Sequence, residues 1–180
     1  MNMSHKEHLW APWKMEYIKK KDGSQKIFSD KPNESDDRQN FILYRGKTCY
    51  VIMNYYPYNN GHLMVVPYEE KNAIEDLEDD TLSEIMKVTK KTMTILREHL
   101  HCEGFNFGAN IGKGSGASIE SHLHFHIVPR WPSDTSFMPV VGSTKVVAQG
   151  LHDTYDLLKP SFEALGCLLY TSPSPRDYPG

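Results

Sequence analysis

His122, His124 and His126 alternate with apolar residues in the stretch Ser121-His122-Leu123-His124-Phe125-His126-Ile127-Val128-Pro129. In an extended strand successive side chains point to opposite faces, so the three imidazoles share one face, about 7 Å from one to the next. A helix would scatter them around its circumference. The spacing therefore predicts a strand, with Leu123, Phe125, Ile127 and Val128 as its buried backing. Three imidazoles in a row can hold a metal, run acid–base chemistry, or supply a nucleophile beside phosphate-binding donors.

The neighbouring residues weigh these options. Three histidine ligands would leave a zinc ion an open position, and Glu120 alternates onto the same face. No Cys-x-x-Cys pair accompanies them. A purely structural ladder would need a polar partner for every buried ring. Phosphoryl chemistry fits better, because the most glycine-dense stretch of the chain, Gly112-Lys113-Gly114-Ser115-Gly116-Ala117-Ser118, leads directly into the histidines. Glycine lets backbone N–H groups curve closely around an anion. A neutral imidazole, with its pKa near 6.5, attacks phosphorus once its other nitrogen is held by an acceptor. Flanking imidazoles donate to phosphate oxygens or to a departing group. The expectation is a phosphate ester or anhydride site that needs no metal and no other cofactor.

The elements that must carry these residues read as one α+β domain, since 180 residues bury one sizeable core and two would be cramped. Residues 40–44 and 47–54 read as strands joined at Arg45-Gly46, and 61–67 as a third strand stopped by Pro67, an antiparallel meander. Residues 105–111 and the histidine stretch supply a fourth and a fifth strand. Helical spacing of Leu82, Ile85, Met86, Thr89, Met93, Leu96 and Leu100 predicts one long helix, begun by a capping box of Thr81 and Glu84. Residues 68–77 read as a further helical stretch and 140–147 as a further strand. A C-terminal helix is expected over 151–165, interrupted at Pro160. The domain reading is an arm and connection over 1–39, the domain proper over 40–166, and a tail over 167–180 whose Ser-Pro-Ser-Pro composition suits no packed element. Within the arm, Leu9-Trp10-Ala11-Pro12-Trp13-Lys14-Met15-Glu16-Tyr17-Ile18 is aromatic enough to pack on the domain or on a partner, and Ile27-Phe28 forms a short anchor.

Composition excludes several classes. A formal charge of −3 argues against a broad nucleic-acid-binding surface. No apolar run reaches membrane-spanning length, and residues 1–8 lack a signal-peptide core. Three widely spaced cysteines suit a reducing compartment, so the expected location is the cytoplasm.

The motif His122-Leu123-His124-Phe125-His126-Ile127-Val128 resembles the signature of the histidine-triad (HIT) family. The resemblance extends to Asn54 and Asn60-Gly61-His62-Leu63, similar to the family's nucleoside-side strand with its fourth histidine, and to residues 110–119, similar to its phosphate loop. Leu9-Trp10-Ala11-Pro12-Trp13 and Ser136-Phe137-Met138-Pro139 resemble the branch containing diadenosine tetraphosphate phosphorylases and related hydrolases. The resemblance implies a HIT-like antiparallel sheet of about five strands, commonly paired into a homodimer, acting on an adenosine-containing nucleotide. It implies that His124 attacks the α-phosphorus to form a nucleotidyl-histidine, that His126 contacts the phosphate, and that His122 supports the site with His62 as its partner. Asn54 would sit near the ribose, with Asn110, Gly116 and Ser118 along the phosphate. Water would then release a nucleoside monophosphate, and inorganic phosphate a diphosphate. Alternatives are hydrolysis of a nucleoside phosphoramidate or nucleotide conjugate, and a nucleotide-binding signalling module with little turnover. The phosphate loop departs from many relatives in having Ala117, which lacks an amide side chain to orient a leaving group or a water. Lys26-Ile27-Phe28-Ser29 stands where some relatives carry zinc-binding cysteines, so no metal is assigned.

Overall fold

The structure is a computed structural model that describes residues 27–117, 119–132, 134 and 149–171. Two single helical turns, α1 (Ile27–Asp30) and α2 (Asp37–Asn40), precede the sheet. Strands β1 (Ile42–Arg45), β2 (Cys49–Met53) and β3 (Leu63–Pro67) follow as an antiparallel meander. After the long helix α3 (Asp79–Leu100) come β4 (Gly104–Gly108), β5 (Phe125–Arg130) and helix α4 (Leu151–Thr171). The five strands form one sheet in the order β1-β2-β3-β5-β4 with every pair antiparallel. The α+β class and the five-strand count agree with the sequence reading.

Alternation along the strands divides the interior in two. Cys49, Val51 and Met53 of β2, Leu63 and Val65 of β3, and Phe125 and Ile127 of β5 face the helices, where Ile85, Val88 and Leu96 of α3 and Tyr155, Leu158 and Phe162 of α4 complete the main core. Ile42, Tyr50, Ile52, Met64 and Val66 face the other way and form a smaller cluster closed by Phe28 of α1. The expected anchor at Ile27-Phe28 is thus a covering element, tied down where the Tyr50 hydroxyl donates to the Phe28 carbonyl at 2.8 Å.

Several local expectations are corrected. No capping box opens α3: the helix starts at Asp79, and Glu84 instead accepts the Lys47 and Thr48 amides at 2.8 and 2.7 Å, together with the Thr48 hydroxyl. A carboxylate facing three donors of the β1–β2 turn outcompetes a cap on an exposed helix end. Residues 68–77 hold only a short 3-10 turn, Ile74–Asp76. Helix α4 runs through Pro160 to Thr171, past the helix end expected at 165, because buried Tyr155, Leu158, Phe162 and Leu165 bracket the proline and outweigh its missing hydrogen bond. Asn40 closes a helical turn rather than opening β1, and Phe41 takes a left-handed conformation with φ 58° to turn the chain into the strand. The aromatic segment at 9–18, the strand expected at 140–147, Ser136-Phe137-Met138-Pro139 and most of the tail lie outside the described residues. Among the described residues no helix is long and apolar enough to cross a membrane.

Candidate active site

Strand β5 begins only at Phe125, so His126 lies in the strand while His122 and His124 occupy the segment that enters it, with a bend at His122. This corrects the expectation of one flat row. The entering segment is held by a different neighbour: the Leu123 amide donates to the Lys71 carbonyl at 2.6 Å, beyond the end of β3. His122 and His124 are buried and His126 half-buried. The His124 and His126 rings meet edge to face, with centroids 4.8 Å apart. His126 lies opposite Met64 of β3, which sets it on the sheet face of the smaller cluster.

His62 reaches this face from the turn before β3. Gly61 makes the turn with φ +69°, a conformation glycine adopts without strain. His62 Nε2 bonds His126 Nδ1 at 2.9 Å, and the ring centroids stand 5.0 Å apart. The sequence reading set His62 beside His122; the hydrogen bond seen here runs to His126. Register decides it: Leu63 lies opposite Ile127, so continuing the ladder sets His62 opposite Val128, on the same face as His126 and diagonal to it, with His122 four residues further along the chain.

The partners fix where each proton sits. His122 Nε2 faces the Pro67 carbonyl at 2.8 Å, which can only accept, so His122 carries its proton there. The Ser29 hydroxyl lies 3.4 Å from its Nδ1. His124 Nδ1 faces the His122 carbonyl at 2.9 Å and donates to it, leaving the lone pair on Nε2. His62 Nδ1 receives the Tyr58 amide at 3.0 Å, and the Asn54 side-chain nitrogen lies 3.3 Å away. Asn54 Oδ1 already accepts the Tyr56 amide at 2.9 Å, so it is the NH2 end that faces His62. His62 accordingly holds its proton on Nε2 and donates it to His126 Nδ1, and His126 carries its own on Nε2.

Burial pushes both His124 and His126 below the ordinary histidine pKa, His126 to about 4, with the neighbouring imidazoles adding to the effect. At neutral pH the pair is uncharged: one ring offers a lone pair, the other an N–H. That is the division between nucleophile and donor that phosphoryl transfer asks for.

The other predicted residues are placed by connectivity. Asn110 follows β4 and is half-buried, while Gly116, with φ +77°, sits in the exposed turn before the histidines. Ser118 lies outside the described residues. The structure therefore assembles His62, His122, His124, His126 and Asn54 directly, and leaves Asn110 and Gly116 on the loop that enters the site.

Three contributors have no motif that would reveal them. Phe28 packs over His124 at 4.8 Å between centroids and against His122 at 5.6 Å. The exposed Tyr58 ring lies 4.7 Å from His62 and 5.7 Å from His126. Asp134 accepts Arg130 at 2.6 and 3.0 Å, the Trp131 amide at 3.2 Å and Asn59 at 2.9 Å, which pins the loop that presents Tyr58. The Arg130 guanidinium, first among these partners, holds the Asp134 carboxyl down at about 2. These contacts join distant residues or use backbone groups, so only the Arg130/Asp134 spacing offers a faint sequence signal.

Residues 35–133 match the HIT domain family. The chain belongs to the HIT family. Over 161 residues it is 39% identical to the AP-4-A phosphorylase of Mycobacterium tuberculosis, a match covering 84% of this chain and 82% of that one. It is 26% identical over 95 residues to the asymmetrical bis(5'-nucleosyl)-tetraphosphatase of Schizosaccharomyces pombe, covering 53% and 52% of the two chains. Among solved structures, a zinc-bound histidine triad family protein from Mycobacterium smegmatis superposes with a TM-score of 0.63 at 22% identity, covering 81% of this chain and 98% of that one. The HIT sheet and helices are thus confirmed as the fold.

Proposed function

We propose that this HIT enzyme transfers the nucleotidyl group of a dinucleoside polyphosphate, of the diadenosine tetraphosphate kind, through a covalent intermediate on His124 to inorganic phosphate. The observation that carries the reading is the His124 tautomer: Nδ1 is anchored on the His122 carbonyl, so Nε2 holds an available lone pair. In the first step Nε2 forms a bond to the α-phosphorus, the bond from phosphorus to the bridging oxygen breaks, and the electron pair leaves with the polyphosphate. In the second, a phosphate oxygen attacks, the P–N bond breaks, and its pair returns to His124. In this reading His126 Nε2–H donates to the phosphoryl oxygens, Asn54 is assigned to the ribose, and Asn110, Gly116 and Ser118 are assigned to the phosphates. The similarity to the AP-4-A phosphorylase, and Ala117 where an amide could have oriented a water, favour phosphate over water as acceptor.

The chemistry draws on imidazoles rather than a metal, so a chelator should leave the nucleotidyl-histidine step intact. The test is incubation with diadenosine tetraphosphate, with and without phosphate. ADP and ATP formed only with phosphate, and a trapped adenylyl group on His124 that His124→Ala removes, are the expected results. AMP and ATP formed independently of phosphate would instead mark hydrolysis, and tight binding without turnover would mark a binding module.

The assembly belongs to the same proposal. Outermost strand β4 presents Asn106, Phe107 and Gly108 to solvent, with Phe107 stacked on Phe125 and Ile111 exposed beyond it. An open strand edge beside apolar surface suits pairing with a second copy into a homodimer. Light scattering giving twice the chain mass supports this, and a monomer sinks it. A cytoplasmic location is supported by Cys49 and Cys102, both buried and unpaired. Cell fractionation checks it.

A further inference from the structure

Resting on the nucleotidyl-transfer reading above, we propose that the exposed ring of Tyr58 is the stacking platform for the base of the departing nucleotide, the half of the dinucleoside polyphosphate that His124 does not take up. It gives the second nucleoside a contact of its own, so the site prefers a polyphosphate capped by nucleosides at both ends over one capped at a single end.

Phe28, His124, His126 and Tyr58 stand ring against ring on the histidine face, with centroids 4.8, 4.8 and 5.7 Å apart from one to the next. This series is closed at one end and open at the other. Phe28 is 4% exposed, His124 is buried, His126 is half-buried and Tyr58 is 52% exposed. An in-line displacement sends the leaving group away from the attacking atom. Phe28 already covers His124 on one side, so the polyphosphate departs over His126 and its far end emerges at Tyr58. Asn54, assigned to the ribose of the transferred half, directly follows β2, which lies across β3 from the histidine strand. The transferred nucleoside therefore occupies the flank of the series and leaves the Tyr58 ring to the other half.

Tyr58 is also a fixed ring. Its backbone amide donates to His62 Nδ1 at 3.0 Å, and its phenol packs on the His62 ring at 4.7 Å between centroids. The next residue, Asn59, donates to the Pro129 carbonyl at 3.0 Å and to Asp134 at 2.9 Å. An aromatic side chain ordered before its ligand arrives stacks at little entropic cost. Tyr55 supplies the internal comparison: it is as exposed, at 50%, but its ring neighbours are Phe41 and Tyr56 rather than the imidazoles of the site. Stacking holds a base by its π-face, which every base possesses, so the departing side recognises an aromatic ring and not one particular base.

The experiment compares kcat/KM for diadenosine tetraphosphate and for adenosine 5'-tetraphosphate, which lacks only the second adenosine, each with inorganic phosphate. The natural protein should prefer the dinucleotide. Tyr58→Ala should lower the dinucleotide-to-mononucleotide ratio about tenfold or more, with the loss in KM. Tyr58→Phe and Tyr58→Trp keep an aromatic face and should keep the ratio, as should Tyr55→Ala. Lost packing on His62 and His126 affects both substrates alike and cancels from the ratio. A second readout places Tyr58→Trp in a His124→Ala background, where the substrate stays intact. Diadenosine tetraphosphate should quench the added indole fluorescence, measured against His124→Ala alone, and adenosine 5'-tetraphosphate should leave it bright. A natural protein without preference, equal losses for the two substrates in Tyr58→Ala, or equal quenching by both would overturn the proposal. Failure to form any adenylyl-His124 would sink the nucleotidyl-transfer reading instead, and the fluorescence titration would still decide the role of Tyr58.

Discussion

At the scale of single residues the site works by keeping imidazoles neutral and sorting their protons. The free histidine pKa is near 6.5, whereas folded His126 lies at about 4 and His124 is also lowered. The unfolded chain thus binds protons more readily across that interval. Stability from the two neutral rings is complete above pH 6.5 and drains away as pH falls toward 4. Urea midpoints at pH 7.5 and pH 5 should show this loss, and His126→Gln, which does not titrate, should make the midpoint less sensitive to that change. kcat/KM should follow an acid limb whose apparent pKa lies below 6.5, because protonated His124 has no lone pair. A limb at or above 6.5 would contradict a buried nucleophile. Much of this was legible beforehand: the alternation put three imidazoles in one place, and His62 came with the family resemblance. The proton positions were not legible, since they depend on the Pro67 and His122 carbonyls and the Tyr58 amide, backbone groups that every residue possesses.

At the scale of elements, two joints hold the site against its scaffold. Gly61 turns the chain into β3 with a positive φ, and a β-carbon there would collide with the Leu100 side chain at the end of α3. Gly61→Ala combines a backbone penalty with overpacking. It should cost about 2–4 kcal/mol in chemical denaturation and impair catalysis by displacing His62. Glu84 clamps the β1–β2 turn by three donors, and Glu84→Ala, which strands two of its backbone amides, should cost about 1–3 kcal/mol. A value near zero would mean water replaces the clamp. The sequence showed that Thr81 and Glu84 share a capping spacing. It could not show that a turn 36 residues earlier would claim the carboxylate. In the same way, alternation located the histidine strand, yet its true start at Phe125 reflects pairing of the preceding segment with the chain after β3.

For the molecule as a whole, the two sheet faces have different tasks. Helices α3 and α4 bury one face as the main core, and the other carries the histidines beside a smaller apolar cluster. This division was largely readable from strand and helix periodicity, apart from how far α4 continues beyond Pro160. The lid supplied by α1 has a practical corollary. A chain trimmed to residues 35–133, the stretch that carries the family match, would keep all four histidines. It would lose Phe28, which roofs the nucleophile, and Tyr155, Leu158 and Phe162, which complete the hydrophobic interior. Such a fragment retains the signature without being a self-sufficient folding unit, and water admitted above His124 would lift its lowered pKa and let a proton occupy the lone pair that makes that ring reactive.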